Sequence, residues 1–420
     1  MTDRLVVLLY GEVVGYLDRA EQGVDPSFTY DSGYVRDGEV ALSARLPLRH
    51  QPYSPEKTAP YLLGLLPENS QTRDLWARRL STSPDDTFGI LAEMGWDCPG
   101  AVQFCRPDAV DELTRRDEVY QAVTAADIAQ RLRRLGSEPA SWTMPDEHWS
   151  LAGQQEKFAL TWRAGSWHEA HGSGATTHII KPGIRTLHKQ ALVEHATMAA
   201  AAAVGIDVAA TRLLQFEDEW AIVIDRFDRR EADDGTILRF HQEDFCQALG
   251  RLPEHKYESR GGPQLRDMMR LLRQQSTSID DDRLALADFL IVNLVAGAPD
   301  GHAKNISILR AAGKTWVAPL YDLATGLAYD SADIERNVAL SVGGERAVSR
   351  IRHRQWERAA GTLGLPHDQL SGRVAQLAED YPDAFAAALE AIRDAPGVEE
   401  VAERAIPPLK HHCARVLNQL

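Results

Sequence analysis

Cysteine is scarce in this chain and poorly spaced for chemistry. The four thiols, Cys98, Cys105, Cys246 and Cys413, include no C-x-x-C pair, and the six residues between the first two make too wide a gap for a zinc knuckle. Buried or incidental thiols in a reducing cytoplasm are expected instead. Long apolar runs are also missing. The N-terminal "MTDRLVVLLYGEVVGYL" is interrupted by Gly11 and Glu12, and no other window approaches the ~20 apolar residues of a membrane span. Neither a signal peptide nor a membrane partner is therefore expected. Positive charge is in deficit, with 46 Lys and Arg against 61 Asp and Glu, a net charge of −15. Such a chain does not wrap nucleic acid by its bulk field, because the phosphates are repelled. No helix-turn-helix pattern stands out either, so DNA is expected only indirectly, through another protein.

What is present is ordinary globular composition, 44% hydrophobic and 25% charged, in a length that suits two or three packed units. "RLVVLLYGEVVGYLDR" reads as two strands around Gly11, and "FTYDSGYV" as a further strand. "APYLLGLLPENSQTRDLWARRL" and "DDTFGILAEMG" have helical spacing, the latter with Asp85 or Asp86 as N-cap. "CPGAVQF" returns to strand. Residues 1–107 thus read as a small α+β unit, and the polar, mostly helical 108–149 as a connector with solvated faces. From Ser150 to about 240 the texture is strand-rich. "KFALTWRAGSWHEA", "ATTHIIKPG" and a hairpin around Glu217–Glu219 are separated by a helix that stops at Gly205. Residues 241–420 are mainly helical, with helices expected over 242–250, 263–275, 281–297, 353–364, 368–393 and 397–418.

The densest polar stretch is "VAGAPDGHAKNISIL" (295–309), a loop between two apolar elements. Asp300 and Asn305 stand five apart there, the D-x-x-x-x-N spacing of phosphotransferases with a protein-kinase-like fold. In that chemistry the aspartate accepts the proton of the incoming hydroxyl and the asparagine oxygen reaches Mg2+. A second hard-oxygen ligand should follow a short strand–turn–strand, and Asp322 in "APLYDLATG" does. Upstream, "SLAGQQEKF" places Ala152, Gly153, Gln154, Gln155, Glu156 and Lys157 in a loop able to lay backbone N–H groups on phosphates. Lys181 ends the strand "THIIK", where it would neutralise the phosphates of ATP. Glu194, on the next helix, is its candidate partner. "IDRFD", with Asp225, Arg226 and Phe227, closes a hairpin where an adenine-binding hinge belongs.

These stretches, together with "HQEDFCQALG" (241–250) and "LLPEN", resemble the HipA toxins, serine/threonine kinases of bacterial toxin–antitoxin modules. The resemblance spans nearly the whole chain. It implies an α+β, two-lobed protein-kinase-like fold with a small N-terminal subdomain and a mainly helical C-terminal lobe. It further implies Asp300 as catalytic base, Asn305 and Asp322 as Mg2+ ligands, Lys181 on phosphates, and His302 and Tyr321 lining the site. Ser150 would be an autophosphorylation site whose phosphate, adding close to two negative charges, repels nucleotide. The implied substrate is an aminoacyl-tRNA synthetase (glutamyl-tRNA synthetase in the best-known case), and the implied partner a HipB-like helix-turn-helix antitoxin. The sequence departs from the family loop at Pro299, where threonine is usual, and at Val193, where asparagine is usual. "HQEDFCQALG" has no catalytic logic of its own.

Simpler roles stand beside these. Asp300 and Asn305 also suit loop capping and Asp322 an N-cap. Lys181, Glu194 and Ser150 also suit solvated positions, and His302 an orienting one. A small-molecule or lipid kinase, and a degenerate kinase acting as co-repressor beside a DNA-binding antitoxin, remain alternatives.

Overall fold

The computed structural model describes residues 3–115, 118–137, 148–329 and 337–420. Strands Asp3–Leu9 and Glu12–Arg19 form the expected hairpin, flanked by Ser27–Tyr30 and Val102–Cys105 in a four-stranded sheet. The strand expected through "FTYDSGYV" is shorter than that. Asp31 accepts from the backbone of Gly33 and Tyr34 and starts a helix, Ser32–Asp37. The long helical pattern after it breaks at Pro67, giving helices Pro55–Gly64 and Ser70–Leu80, the second capped by Asn69. Asp86 caps Thr87–Met94 through the Gly89 N–H. Leu5, Val7, Leu62, Trp76, Phe88 and Phe104 are among the residues filling the core of this unit.

Residues 108–149 are more than a helical connector. Strand Glu118–Val123 pairs antiparallel with Ser166–Gly172 and becomes the edge of a six-stranded sheet. Helix Ala125–Ser137 lays Ile128, Ala129, Leu132 and Leu135 against that sheet's Phe158, Leu160 and Val223. Their spacing is that of one helix face, so the helix is amphipathic and not solvated all round. The sheet continues through Phe158–Arg163, His178–Lys181, Glu219–Asp225 and Thr211–Phe216.

The helical lobe follows the sequence closely, with helices Leu265–Gln275, Ile279–Val295, His353–Leu363, His367–Ala391 and Val398–Leu417. The expected helix 242–250 is half strand. His241–Asp244 pairs with Ser307–Ala311, and only Phe245–Leu249 is helical. The switch falls at Asp244, whose carboxylate and Gln247 form a capping box. Helix Gln190–Ala203, although inserted between strands, shares the C-terminal lobe's core. Val193, Ala196 and Ala200 join Phe289, Leu290 and Tyr381, and Tyr381 Oη donates to Thr197 O at 2.9 Å. Among the described residues no helix is long and apolar enough to cross a membrane.

Candidate active site

A cleft of about 570 Å³ lies where the six-stranded sheet, the helical lobe and the first subdomain meet. Its floor is the loop that follows helix Ile279–Val295. At Gly301 a Cβ would come within 2.4 Å of the Asn293 side chain, so the loop presses onto the helix only with glycine there. His302 N–H donates to Asp300 O at 2.7 Å, and Asn305 N–H to His302 O at 2.9 Å. The Asn305 side chain donates Nδ2–H to Asp300 O at 2.9 Å, which leaves its carbonyl oxygen as the end suited to a cation. Asn305 and His302 are buried, whereas the Asp300 side chain is 59% exposed and reaches the cleft. Tyr257 Oη donates to Asp300 Oδ1, and His302 Nε2 stands 3.7 Å from the same oxygen. Burial pushes the His302 pKa down, which favours the neutral ring. The proline at 299 removes a donor and leaves this hydrogen-bonded turn intact.

Asp322 has φ +57°, a left-handed backbone that strains a non-glycine residue and that clusters at functional sites. Its carboxylate ion-pairs with Lys181 Nζ. Burial alone would raise its pKa, but the Lys181 and Lys157 charges overcome that and hold it near 2. Lys181 also donates to Glu194 Oε1 at 2.9 Å, and Gln190 Nε2 donates to Glu194 Oε2 at 3.0 Å. Glu194 is thus a buried partner and not an exposed helix glutamate. For Lys181, burial acts to lower the pKa, and the two carboxylates more than reverse it. Hard oxygens at Asn305 and Asp322 are a donor set that fits Mg2+, which takes its remaining ligands from water and phosphate.

The loop over the cleft turns at Gly153 (φ +106°). A Cβ there would lie 2.8 Å from Lys157 Nζ, which bonds back to Ala152 O at 2.8 Å. Burial, then the neighbouring Lys181 charge, bring the Lys157 pKa down to about 8. Gln155 Nε2 donates to Gln190 Oε1 at 3.0 Å, while Gln154 is exposed and Glu156 half-buried. Burial raises the Glu156 pKa. Ser150 is fully buried, with Oγ donating to Leu65 O at 2.8 Å.

At the hinge, Phe227 packs against Tyr321 with ring centroids 5.3 Å apart, and Tyr321 Oη donates to Lys304 O at 2.7 Å. Asp225 is held by Arg212 at 2.6 Å and His178 at 3.2 Å. Arg226 borders the cleft, while its guanidinium is committed to the fold. Its guanidinium is buried with Asp228 at 2.8 Å, Asp97 at 3.2 Å and Cys98 O at 2.9 Å, so it fastens the first subdomain to the hinge. Arg229 and Arg239 join Asp97 there at 2.8 and 3.1 Å.

Several site residues lie in stretches that the sequence marked by resemblance without assigning them a role. Glu68, in "LLPEN", bonds Lys256 Nζ at 2.7 Å and lies 3.8 Å from Lys304 Nζ, while its backbone N–H donates to Gly153 O at 2.9 Å. Asp244 holds Lys304 at 2.8 Å. The rest of "HQEDFCQALG" is a docking seam. Glu243 accepts from the Ala44 N–H at 2.9 Å and the Ser43 hydroxyl at 2.6 Å, and Gln247 donates to Tyr61 O at 2.9 Å. Only long-range pairing reveals that role.

Comparison with known proteins gives one consistent answer. The HipA N-terminal domain family matches residues 5–105, and the HipA-like C-terminal domain family matches residues 149–385. The chain is 35% identical over 387 residues to "Putative kinase Y4mE" of Sinorhizobium fredii, covering 91% of each protein. It is 28% identical over 381 residues to the serine/threonine-protein kinase toxin HipA of Shewanella oneidensis, covering 85% of this chain and 84% of that one. A solved complex of Shewanella oneidensis HipA, HipB and operator DNA superposes with a TM-score of 0.81 at 25% identity, over 99% of this chain and 96% of that one. The chain belongs to the HipA family of serine/threonine-protein kinase toxins.

Proposed function

We propose that this chain transfers the γ-phosphate of ATP to a serine or threonine hydroxyl of a protein. The observation that carries the reading is the convergence in one cleft of the Lys181–Glu194 pair, Asp322, and the exposed Asp300 beside Asn305. Asp300 takes the acceptor's proton as the hydroxyl attacks, a general-base role that needs only reach and an ionised carboxylate. Lys181, held by Glu194, meets the nucleotide phosphates as a fixed cation. The loop 152–157 covers them with backbone N–H groups, and the Asp225–Phe227 hinge with Tyr321 borders the base. Asn305 and Asp322 would hold Mg2+, which neutralises phosphate charge when bound. In the described structure Asp322 lies on Lys181, so loading requires that carboxylate to be shared with the cation.

The acceptor is proposed to be an aminoacyl-tRNA synthetase, glutamyl-tRNA synthetase by family resemblance, so that phosphorylation arrests growth in the cytoplasm. A HipB-like antitoxin would neutralise the chain and bring it to DNA indirectly. The solved relative in complex with HipB and operator DNA supports that pairing. Autophosphorylation at Ser150 would switch the enzyme off. Retention of Lys181, Asp300, Asn305 and Asp322 argues against a degenerate co-repressor.

The test is labelled transfer from γ-labelled ATP with Mg2+, comparing wild type with Asp300→Asn. Transfer should fall by roughly 10²–10⁴-fold in the variant while nucleotide still binds. Equal transfer by both proteins would overturn the reading.

A further inference from the structure

Asp300 reaches the cleft and meets there a hydroxyl of its own chain. Tyr257 Oη donates to Asp300 Oδ1, on the side that faces His302. A hydroxyl donating to this carboxylate is the contact that an acceptor serine must make before it attacks phosphorus. We infer that Tyr257 occupies the acceptor-hydroxyl subsite as an internal stand-in, and that a protein acceptor enters by turning it off Asp300. This rests on the assignment of Asp300 as base in a nucleotide-dependent kinase.

The surroundings are built for a side-chain swing. The two residues flanking Tyr257 are pinned through their side chains. Lys256 is tied to Glu68 at 2.7 Å, and Glu258 accepts from the Ser341 N–H at 2.6 Å and the Ser341 hydroxyl at 2.8 Å. The ring itself is half-buried. It meets His302 edge-on at 4.9 Å between centroids, with Arg260 5.5 Å from its own centroid. Rotation of the ring therefore frees Asp300 without moving the loop that carries it. Burial, then the bond to Asp300, push the Tyr257 pKa up, so the phenol stays protonated and remains a donor. A stand-in of this kind also limits waste. With the phenol on Oδ1, that oxygen is taken as a proton acceptor although the carboxylate stays solvent-exposed, and ATP hydrolysis in the absence of acceptor is slowed.

The experiment uses water as the acceptor, so no protein substrate is needed. In hydrolysis the water oxygen bonds to the γ-phosphorus, the bond to the β–γ bridging oxygen breaks, the water proton passes to Asp300, and ADP leaves. Full-length wild type, Tyr257→Phe, and Tyr257→Phe with Asp300→Asn are compared for ADP release at saturating MgATP and for ATP affinity by calorimetry. Tyr257→Phe keeps the ring on His302 and should hydrolyse ATP roughly ten- to a hundred-fold faster, the worth of one hydrogen bond to a charged group, at unchanged ATP affinity. Adding Asp300→Asn should return hydrolysis to background. Unchanged or slower hydrolysis in an ATP-binding Tyr257→Phe protein would overturn the inference and make Tyr257 a support for Asp300. Failure of wild type to bind MgATP would instead overturn the nucleotide reading, and this inference with it.

Discussion

Lys181 Nζ lies 2.9 Å from Glu194 Oε1, with the two side chains only 4% and 2% exposed. The pair joins a strand of the sheet to a helix whose other residues belong to the helical lobe's core. It therefore fixes where a phosphate-binding cation can sit relative to the rest of the cleft. Glu194→Gln removes one member and leaves a buried ammonium with Asp322 as its remaining anion. Such losses cost about 3 kcal/mol, readable as a lower urea midpoint at unchanged slope. Phosphoryl transfer should fall as well, because Lys181, already paired with Asp322, loses the second carboxylate that shares its charge and competes more strongly with Mg2+ for Asp322.

The cleft should sense pH through Lys157. Its folded pKa, about 8, lies below the ordinary 10.5 because of burial and then Lys181. The unfolded chain thus holds more protons between about pH 8 and 10.5, and this group's contribution to stability rises with pH across that window. Nucleotide phosphates favour the charged form, so binding at pH 8–9 should take up a proton. Calorimetry in buffers of different ionisation enthalpy should show that uptake, and affinity should weaken as pH climbs above 8. Lys157→Met should abolish both effects.

Glu68 should matter more than its place outside the kinase lobes suggests. Its backbone holds Gly153 of the nucleotide loop, and its carboxylate holds Lys256 beside the base-bearing loop. Glu68→Gln keeps the backbone bond and removes the charge. About tenfold weaker transfer is expected, the equivalent of one charge-assisted hydrogen bond, with a smaller change in ATP affinity. Unaltered kinetics in a correctly folded variant would show that Lys256 needs no partner.

Ser150 is fully buried and bonded to Leu65 O. Ser150→Ala should cost about 1 kcal/mol of stability and leave nucleotide binding nearly intact. Ser150→Glu cannot keep a charge in that pocket. The loop should then leave the first subdomain, and fluorescent-nucleotide affinity should fall by at least an order of magnitude. Equal affinity in the two variants would break the proposed link between this serine and the loop.

The helical lobe was readable because its helices carry the 3.6-residue period and clean stops, such as the left-handed Gly364 after Leu363. The D-x-x-x-x-N loop and Asp322 were readable because one short stretch holds the chemistry. Residues 118–137 were misread in part. The edge strand Glu118–Val123 leaves Val119, Gln121 and Ala122 exposed, and its identity is set by pairing with Ser166–Gly172, which no local pattern reports. The ion pairs of Arg226 were hidden for the same reason. Its partner Asp97 lies 129 positions away, so only the fold shows that its charge is already committed. Tyr257 and Glu68 sit in stretches with no spacing rule and become visible only when three separate segments close on the cleft.

The arginine cluster at the hinge bears on whether the two halves of the chain can be separated. Arg226, Arg229 and Arg239 converge on Asp97, a residue of the first subdomain, with Asp228 as the second anion. Removing that subdomain takes Asp97 away and leaves Asp228 as the carboxylate among three guanidiniums, like charges held close without their main counter-ion. The kinase portion without residues 1–107 is therefore expected to unfold at lower denaturant than the whole chain, which makes the first subdomain a counter-charge for the hinge as well as a wall of the cleft.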